Sequence, residues 1–331
     1  MLGPLGAARI LVIGAIFAGC ADPAPAPPPP RVAGLDAYLA GAQAYSNGDS
    51  QLARPLLEKA VQRNPDLISA RQMLGDLYWK DGDYDGAAEQ YQAFVRLDPY
   101  NYKTHYDMAL AFQFLGRLSE AVDAYLEALK LSPRDVSSNM NLGVVYLSQG
   151  HTHEAIQRLE FAVSVDPKSA AAQCNLGAAL ETDGQLAKAD SAYRRAMELD
   201  PDMTVAMIDL GSLLLRQQRA IEAAVVLDAA ARKVNTAPVR KKLGDALYLE
   251  RRDADALLQY DLALRLDANY WPAMNQIGLI RLRQYQTGLT LDENLRLAAL
   301  AMWRRSLALN ADQPVVRQWV NQWNQNGRVT P

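Results

Sequence analysis

The sequence predicts an all-α fold, a solenoid of about eight helical hairpins followed by a capping helix. Three observations predict it. Prolines recur every 34 residues at Pro65, Pro99, Pro133, Pro167 and Pro201. Small residues recur at two fixed places in the same interval, and a large residue recurs at a third. A period of roughly 20 to 50 residues is typical of arrays in which each hairpin buries its apolar face against its neighbours.

Composition bounds the function. The chain has 331 residues, of which 50% are hydrophobic and 21% are charged, as in ordinary folded proteins. Its formal net charge of −3 argues against general nucleic-acid binding, and two cysteines exclude a disulfide framework. Three histidines leave little room for a histidine-built metal site, and no phosphate-cradling glycine loop is present. We therefore expect no cofactor, no metal and no enzymatic activity.

Residues 1–19 are predicted to be an export signal. Arg9 precedes a ten-residue apolar run that is too short to cross a bilayer core as a helix. A charged start, a short apolar stretch and small residues before a cleavage point are typical of such signals. The segment Phe17-Ala18-Gly19-Cys20 resembles the bacterial lipobox, which implies lipid attachment (palmitate) at Cys20. A plain secretory signal with an incidental cysteine is the alternative.

A proline-rich tether is predicted at residues 20–33, after the leader. Six of the eight residues from 23 to 30 are prolines. Such a stretch cannot bury a core and prefers the extended polyproline II form. At about 3.1 Å per residue it would hold the folded part roughly 35–40 Å from a bilayer.

The repeat array is predicted to span residues 34–311. A frame that starts at Gly34 places small residues at its eighth place, namely Gly41, Gly75, Ala109, Gly143, Gly177, Gly211, Gly244 and Gly278. Alanine fills the twentieth place, and the twenty-fourth carries Leu57, Tyr91, Tyr125, Leu159, Tyr193, Leu227, Tyr260 and Trp303. Small residues let two antiparallel helices approach closely, and the large one fills the adjoining space. Glycine at the fifteenth place suits the turn between them.

The frame has three departures near its end. The sixth repeat is one residue short, with Asn235 and Thr236 where proline is expected, and the seventh ends at Ala268 without proline. The eighth repeat, which starts at Trp271, carries an insertion of about nine residues near 284–292. Residues 312–331 are predicted to form a capping helix and tail, because their apolar residues fall on one helical stripe, at Val316, Trp319, Val320 and Trp323. A partner-binding patch is the alternative interpretation of the two tryptophans.

The pattern resembles the tetratricopeptide repeat (TPR). The residues that carry the resemblance are Leu74-Gly75, Tyr78, Ala87, Tyr91 and Pro99 in the second repeat, and Leu142-Gly143, Tyr146, Ala155, Ala162 and Pro167 in the fourth. The resemblance implies a right-handed superhelix whose concave groove binds peptides or partner helices, and a scaffold without catalytic residues.

The first helices carry the predicted groove residues. The sixth place reads Asp107, Asn141, Asn175 and Asp209, which resembles an asparagine ladder that holds an extended peptide backbone in other grooves of this family. Beside it, the fifth place forms an apolar row of Tyr106, Met140, Cys174 and Ile208. The alternative is that these residues only support helix packing.

Resemblance also suggests a process. Bacterial lipoproteins of this repeat type serve in pilus and secretin assembly, in export machines, or as adaptors for envelope enzymes such as peptidoglycan hydrolases and glycosyltransferases. Ala21 rather than aspartate follows Cys20, so by the rules of bacterial lipoproteins the signal for retention in the inner membrane is absent. If the organism has two membranes, the outer one is expected, with the array in the periplasm. Residues 20–215 hold 16 basic and 26 acidic side chains, a net charge of −10, and residues 216–331 hold 17 and 11, a net charge of +6. This asymmetry makes self-association possible.

Overall fold

A computed structural model describes residues 33–288 and 291–325. The predicted export signal, the lipid attachment residue Cys20 and most of the tether lie outside the described residues. Within them the secondary structure is α-helical, with seventeen helices. The first helices of the repeats are α1 (Leu35–Ser46), α3 (Ile68–Lys80), α5 (Tyr102–Phe114), α7 (Val136–Ser148), α9 (Ala170–Thr182), α11 (Thr204–Arg216), α13 (Ala237–Leu249) and α15 (Trp271–Thr287). The second helices are α2 (Ser50–Arg63), α4 (Tyr84–Leu97), α6 (Leu118–Leu131), α8 (Thr152–Val165), α10 (Leu186–Leu199), α12 (Ala220–Lys233), α14 (Asp253–Leu266) and α16 (Glu293–Leu309).

The helices form eight hairpins in the predicted frame, so the all-α repeat class is confirmed. From the second repeat on, every first helix begins at the first place of its repeat. Each proline of the 34-residue series stands two residues after a second helix, as Pro65 follows Arg63 and Pro99 follows Leu97. Proline lacks the N–H that would continue the helical hydrogen-bond ladder, so the second helix cannot extend past it. None of the described helices is long and apolar enough to cross a membrane.

The described residues fall into two compact regions, one up to Leu77 and one from Tyr78. In the first region α1 packs on α2, where Leu57 is fully buried. A Cβ added at Gly41 would lie 2.9 Å from Cγ of Leu57, so the eighth and twenty-fourth places meet as predicted. The hydroxyl of Tyr45 donates to Asp76 at 3.2 Å.

The second region repeats this contact along its length. An added Cβ at Gly143 would lie 2.7 Å from Cγ of Leu159, and one at Gly211 would lie 2.5 Å from Cγ of Leu227. Real Cβ contacts are longer, so these helices approach to a distance that only glycine allows. Glycine costs a helix about 1 kcal/mol relative to alanine. Its recurrence is therefore a packing requirement, as the sequence predicted.

The turns between the two helices of a hairpin need a left-handed backbone at the fifteenth place. Five glycines there have φ between 73° and 80°: Gly48, Gly82, Gly116, Gly150 and Gly184. In the sixth and seventh repeats the same place holds Gln218 and Arg251, with φ of 61° and 64°. Side chains with a Cβ are strained in this conformation by about 1–2 kcal/mol. The hairpin therefore keeps this turn even where the residue at the fifteenth place disfavours it.

The insertion in the eighth repeat lengthens both helices. Helices α15 and α16 each have 17 residues, against 13 and 14 in the preceding hairpin, and their connection has five residues instead of three. Helix α16 begins after Asp292, whose side chain accepts a hydrogen bond from the backbone N–H of Asn294. The insertion therefore adds about one helical turn to each helix and leaves the register of the packing contacts intact.

Helix α17 (Pro314–Gln325) packs against α16 and closes the array, as predicted. Val316 is buried, and the ring centroids of Trp319 and Trp303 lie 5.3 Å apart. The buried guanidinium of Arg296 donates to the backbone carbonyl of Trp323 at 2.6 Å. These contacts use the apolar stripe for packing, so the capping interpretation is favoured over a partner-binding patch.

Candidate protein-binding face

The first helices of the fourth to eighth repeats form one continuous layer. Helix α9 touches both α7 and α11, and α13 touches both α11 and α15. Within the described residues, no two second helices pack as closely as these pairs. First helices that crowd while second helices spread apart define the inner, concave side of a repeat array. The sixth-place residues of the fourth to sixth repeats lie on this layer.

Three of the four predicted rungs stand in different environments. The amide of Asn141 donates to the hydroxyl of Tyr106 in the preceding repeat at 3.1 Å. Asp107 pairs with Lys103 on its own helix at 2.8 Å. Asn175 is half-buried and makes no side-chain hydrogen bond among the residues that the structure describes. The predicted rungs therefore differ in which hydrogen-bond donors and acceptors each side chain has free for a ligand.

Asp209, the fourth rung, has a perturbed carboxyl. Burial and the nearby negative charge of Glu181 raise its pKa, and the ammonium of Lys242 opposes the shift. Asp209 accepts no hydrogen bond from a described residue. An ionised carboxylate that is half-buried without a donor costs free energy, so this rung can gain from any N–H that reaches it.

The apolar fifth-place row is more deeply covered than the sequence analysis expected. The side chains of Tyr106, Met140 and Ile208 are half-buried and pack on the two apolar cores of the region. Cys174 is only 6% exposed, and burial raises the pKa of its thiol to about 11. It contributes packing and not contact surface, because neighbouring first helices close over it. This corrects its assignment to the groove.

A polar network that the sequence did not predict links the first helices of the fifth to seventh repeats. Arg216 reaches back to Glu181 in the preceding repeat at 2.6 Å, and Tyr193 donates to the same carboxylate at 2.8 Å. Lys242 donates to Ser212 at 2.7 Å, again across a repeat boundary. These residues occupy the sixth, ninth, twelfth, thirteenth and twenty-fourth places. Residues of opposite charge stand at neighbouring places of consecutive repeats, as Glu181 and Arg216 do. This pattern in the sequence could have predicted the network.

This network borders a depression of about 380 Å³. Its wall includes Ser212, Arg216, Lys241, Lys242 and Tyr270. Lys241 pairs with Asp245 at 2.7 Å, and both side chains are mostly covered. The inner layer thus changes along the array, from amide and apolar side chains in the fourth and fifth repeats to paired charges in the sixth and seventh.

The histidines of the fourth repeat do not form a metal centre. His151 precedes α8, and the ring of His153 lies 2.9 Å from the amide of Gln157. Within residues 33–288 and 291–325, no group of three or more histidine, cysteine or acidic side chains could hold a metal ion.

Comparison with known families gives three matched segments. The family described as tetratricopeptide repeat matches residues 38–102 and 145–204, and a related family described as TPR repeat matches residues 114–150. The chain is a tetratricopeptide repeat protein. No curated protein matches the chain.

Solved structures show the same fold. PilF of Pseudomonas aeruginosa is 20% identical, with a TM-score of 0.55; the match covers 62% of this chain and 94% of PilF. A tetratricopeptide repeat protein from Parabacteroides merdae is 15% identical, with a TM-score of 0.56 and coverage of 78% and 99%. At these identities the similarity concerns the fold alone.

Tetratricopeptide repeat arrays are scaffolds for protein–protein interaction, and the family is generally non-catalytic. Their stacked first helices offer an extended surface to a protein or peptide partner. The described part of this tetratricopeptide repeat protein has that surface, with the predicted polar row along it.

Proposed function

We propose that this chain is a membrane-anchored, non-catalytic scaffold whose inner face binds an extended segment of a protein partner. One observation carries the proposal. Asn175 and Asp209 stand on adjacent, touching first helices, half-buried, and neither has a side-chain hydrogen-bond partner among the described residues. Partly exposed polar side chains with no partner inside the protein keep their donors and acceptors for water or a ligand. Two such side chains in line with Asn141 suit a ligand that supplies a row of N–H and C=O groups.

The spacing of the rungs favours an extended chain. Packed helices lie about 8–10 Å apart, and an extended chain advances about 3.3 Å per residue. One rung therefore meets the bound backbone about every three residues. An amide such as Asn175 can donate to a carbonyl and accept from an N–H, whereas ionised Asp209 can only accept.

The predicted lipoprotein features support the proposal that this scaffold is held at a membrane. We propose acylation at Cys20, with the tether holding the array away from the bilayer in the periplasm. Assembly of an envelope complex, such as a pilus, a secretin or an export machine, is the process we propose, because bound segments of assembly partners would be held near the membrane. The support is the lipobox-like segment around Cys20 together with the inner face described above.

The test combines capture with substitution of the ladder. The native protein is extracted in gentle detergent and the co-purifying proteins are identified by mass spectrometry, which also reports the mass of the peptide that begins at Cys20. Asn141→Ala combined with Asn175→Ala should lose most of the captured partner, because two of the rungs lose their amides.

The matched control is Gln157→Ala, because Gln157 is a polar residue on the exposed side of α8. It should leave capture unchanged, and both variants should keep helicity and melting behaviour. Capture that survives the double substitution would exclude the ladder from binding. An unmodified Cys20 would exclude the lipid anchor, and capture of a soluble hydrolase or glycosyltransferase would favour the adaptor role over assembly.

A further inference from the structure

An apolar patch lies on the opposite side of the array, on the second helices of the sixth and seventh repeats. Ile221 and Val225 of α12 are 71% and 69% exposed, and Leu258 of α14 is 51% exposed. These residues occupy the eighteenth and twenty-second places. In the first five repeats the same places hold no large aliphatic residue, but Gln51, Pro55, Asp85, Glu89, Ser119, Asp123, His153, Gln157, Ala187 and Ser191.

The patch contains a groove. A cavity of about 360 Å³ lies between α12 and α14, with Leu243 and Leu247 of α13 among its lining residues. Ile221, Val225 and Leu258 also line it. The surface therefore presents aliphatic side chains on exposed helices directly beside an apolar groove. Neighbouring exposed aliphatic side chains beside an apolar groove are a candidate interaction surface.

The charges around the groove are already paired within the chain. Asp228 pairs with Arg232 at 2.5 Å, and Asp255 pairs with Arg252 at 2.8 Å. Arg219 pairs with Glu222 at 2.7 Å near the start of α12. A partner selected by a large net charge would gain little here, because both signs are present and each has a local counterion. A surface with the same balanced charges would meet no repulsion.

We propose that the occupant is a second copy of this chain. Two copies related by a two-fold axis can each lay α12 into the groove between α12 and α14 of the other, because ridge and groove lie side by side on one surface. Such an isologous contact uses the same surface patch on both copies, and the locally paired charges around this groove leave no net repulsion between two copies of it. Leu297 of α16, 52% exposed at the eighteenth place of the eighth repeat, continues the apolar positions in sequence register.

The first experiment is disulfide trapping in the full chain, in cells. Val225 lies near the middle of α12, so a two-fold pairing of α12 with its copy brings the two Val225 positions together. Val225→Cys should yield a disulfide-linked dimer under mild oxidation. Ser191→Cys, at the same place in the fifth repeat and also exposed, should remain monomeric. The native Cys174 is buried and should not react.

The second experiment measures the mass of the purified full chain by sedimentation over a wide concentration range. Val225→Glu with Leu258→Glu should raise the dissociation constant at least about tenfold, because two central apolar contacts become charged. Ser191→Glu should leave it unchanged, as should the inner-face pair Asn141→Ala and Asn175→Ala. Circular dichroism checks that the exposed substitutions leave the fold intact.

Two results would overturn the proposal. A chain that stays monomeric at every concentration, with no disulfide at Val225→Cys, has no dimer through this groove. A disulfide from Val225→Cys to a different protein would show that a foreign segment, and not a second copy, occupies it.

Discussion

The third to fifth repeats and the last three repeats share one packing scheme but carry different surfaces. In both groups a small residue at the eighth place faces a large one at the twenty-fourth. The middle repeats keep glycine in their turns and have no large aliphatic residue at the eighteenth and twenty-second places, whereas the sixth and seventh repeats have strained turns and exposed aliphatic residues there. The contact between the eighth and twenty-fourth places fixes how the two helices of each hairpin pack. The exposed residues do not take part in this contact and can therefore differ between repeats.

The largest expected effect tests whether both groups depend on the same contact. Gly211→Val places branched carbon where Leu227 already lies, and we expect it to destabilise the array by about 3 kcal/mol. Gly143→Val should cost about as much against Leu159. Urea unfolding followed by circular dichroism measures both. A tolerated valine at Gly211 would show that the sixth repeat packs differently from the fourth.

A smaller effect is expected from the turns, which differ between the fourth and the sixth repeat. Gln218→Gly relieves a left-handed backbone at φ 61° and should stabilise the fold by about 1 kcal/mol. Gly150→Ala at the equivalent turn should cost about as much, and its Cβ would meet no atom within 4 Å, so backbone strain alone is measured. Thermal unfolding of both variants is the check. If Gln218→Gly lost stability, a side-chain role of Gln218 would have to be invoked.

A still smaller effect concerns the carboxyl at the border between the two inner surfaces. The folded-state pKa of Asp209 is raised above its ordinary value by burial and by Glu181. Its charged form therefore weakens the fold as pH rises through that pKa, and Asp209→Asn should be more stable than the native chain at neutral pH. The effect is modest because Lys242 attracts the charge.

The stability gain of Asp209→Asn should shrink as pH falls and vanish below the pKa of an unfolded aspartate. Melting temperatures across that range test it. A gain that is independent of pH would mean that the carboxylate is not the cause.

The smallest effect is expected from an ion pair between repeats. Arg216→Gln breaks the contact to Glu181, but the arginine side chain is 57% exposed, so we expect a loss below about 0.5 kcal/mol. The measured loss should fall further at high salt, because exposed charges are screened. A loss of several kcal/mol would show that the charge network, and not the apolar contacts, holds the sixth repeat in place.

The sequence alone could predict the contacts and turns that follow from the spacing of residues within one hairpin or helix. The pairs Gly143–Leu159 and Gly211–Leu227, the turn glycines and the capping stripe at Val316 all follow from spacing. The eight hairpins and the longer last repeat were predicted for the same reason.

Contacts between repeats could not be predicted in the same way. Cys174 is buried because neighbouring first helices close over it, and Arg216 meets Glu181 only across a repeat boundary. Such contacts depend on the rotation between successive repeats, and the spacing of residues within a repeat does not give that angle. The strained turn at Gln218 was also missed, because local preference argues against it and tertiary packing overrides that preference.

The most direct test of the central claim compares the two faces of one repeat. A photo-activatable cross-linking residue is placed at Val144, half-buried on the inner layer, and separately at Gln157, exposed on the second helix of the same repeat. Illumination of intact cells should join the Val144 variant, and not the Gln157 variant, to a protein partner, and Asn175→Ala should weaken that product. The same products from both positions, or none from Val144, would contradict binding on the inner face.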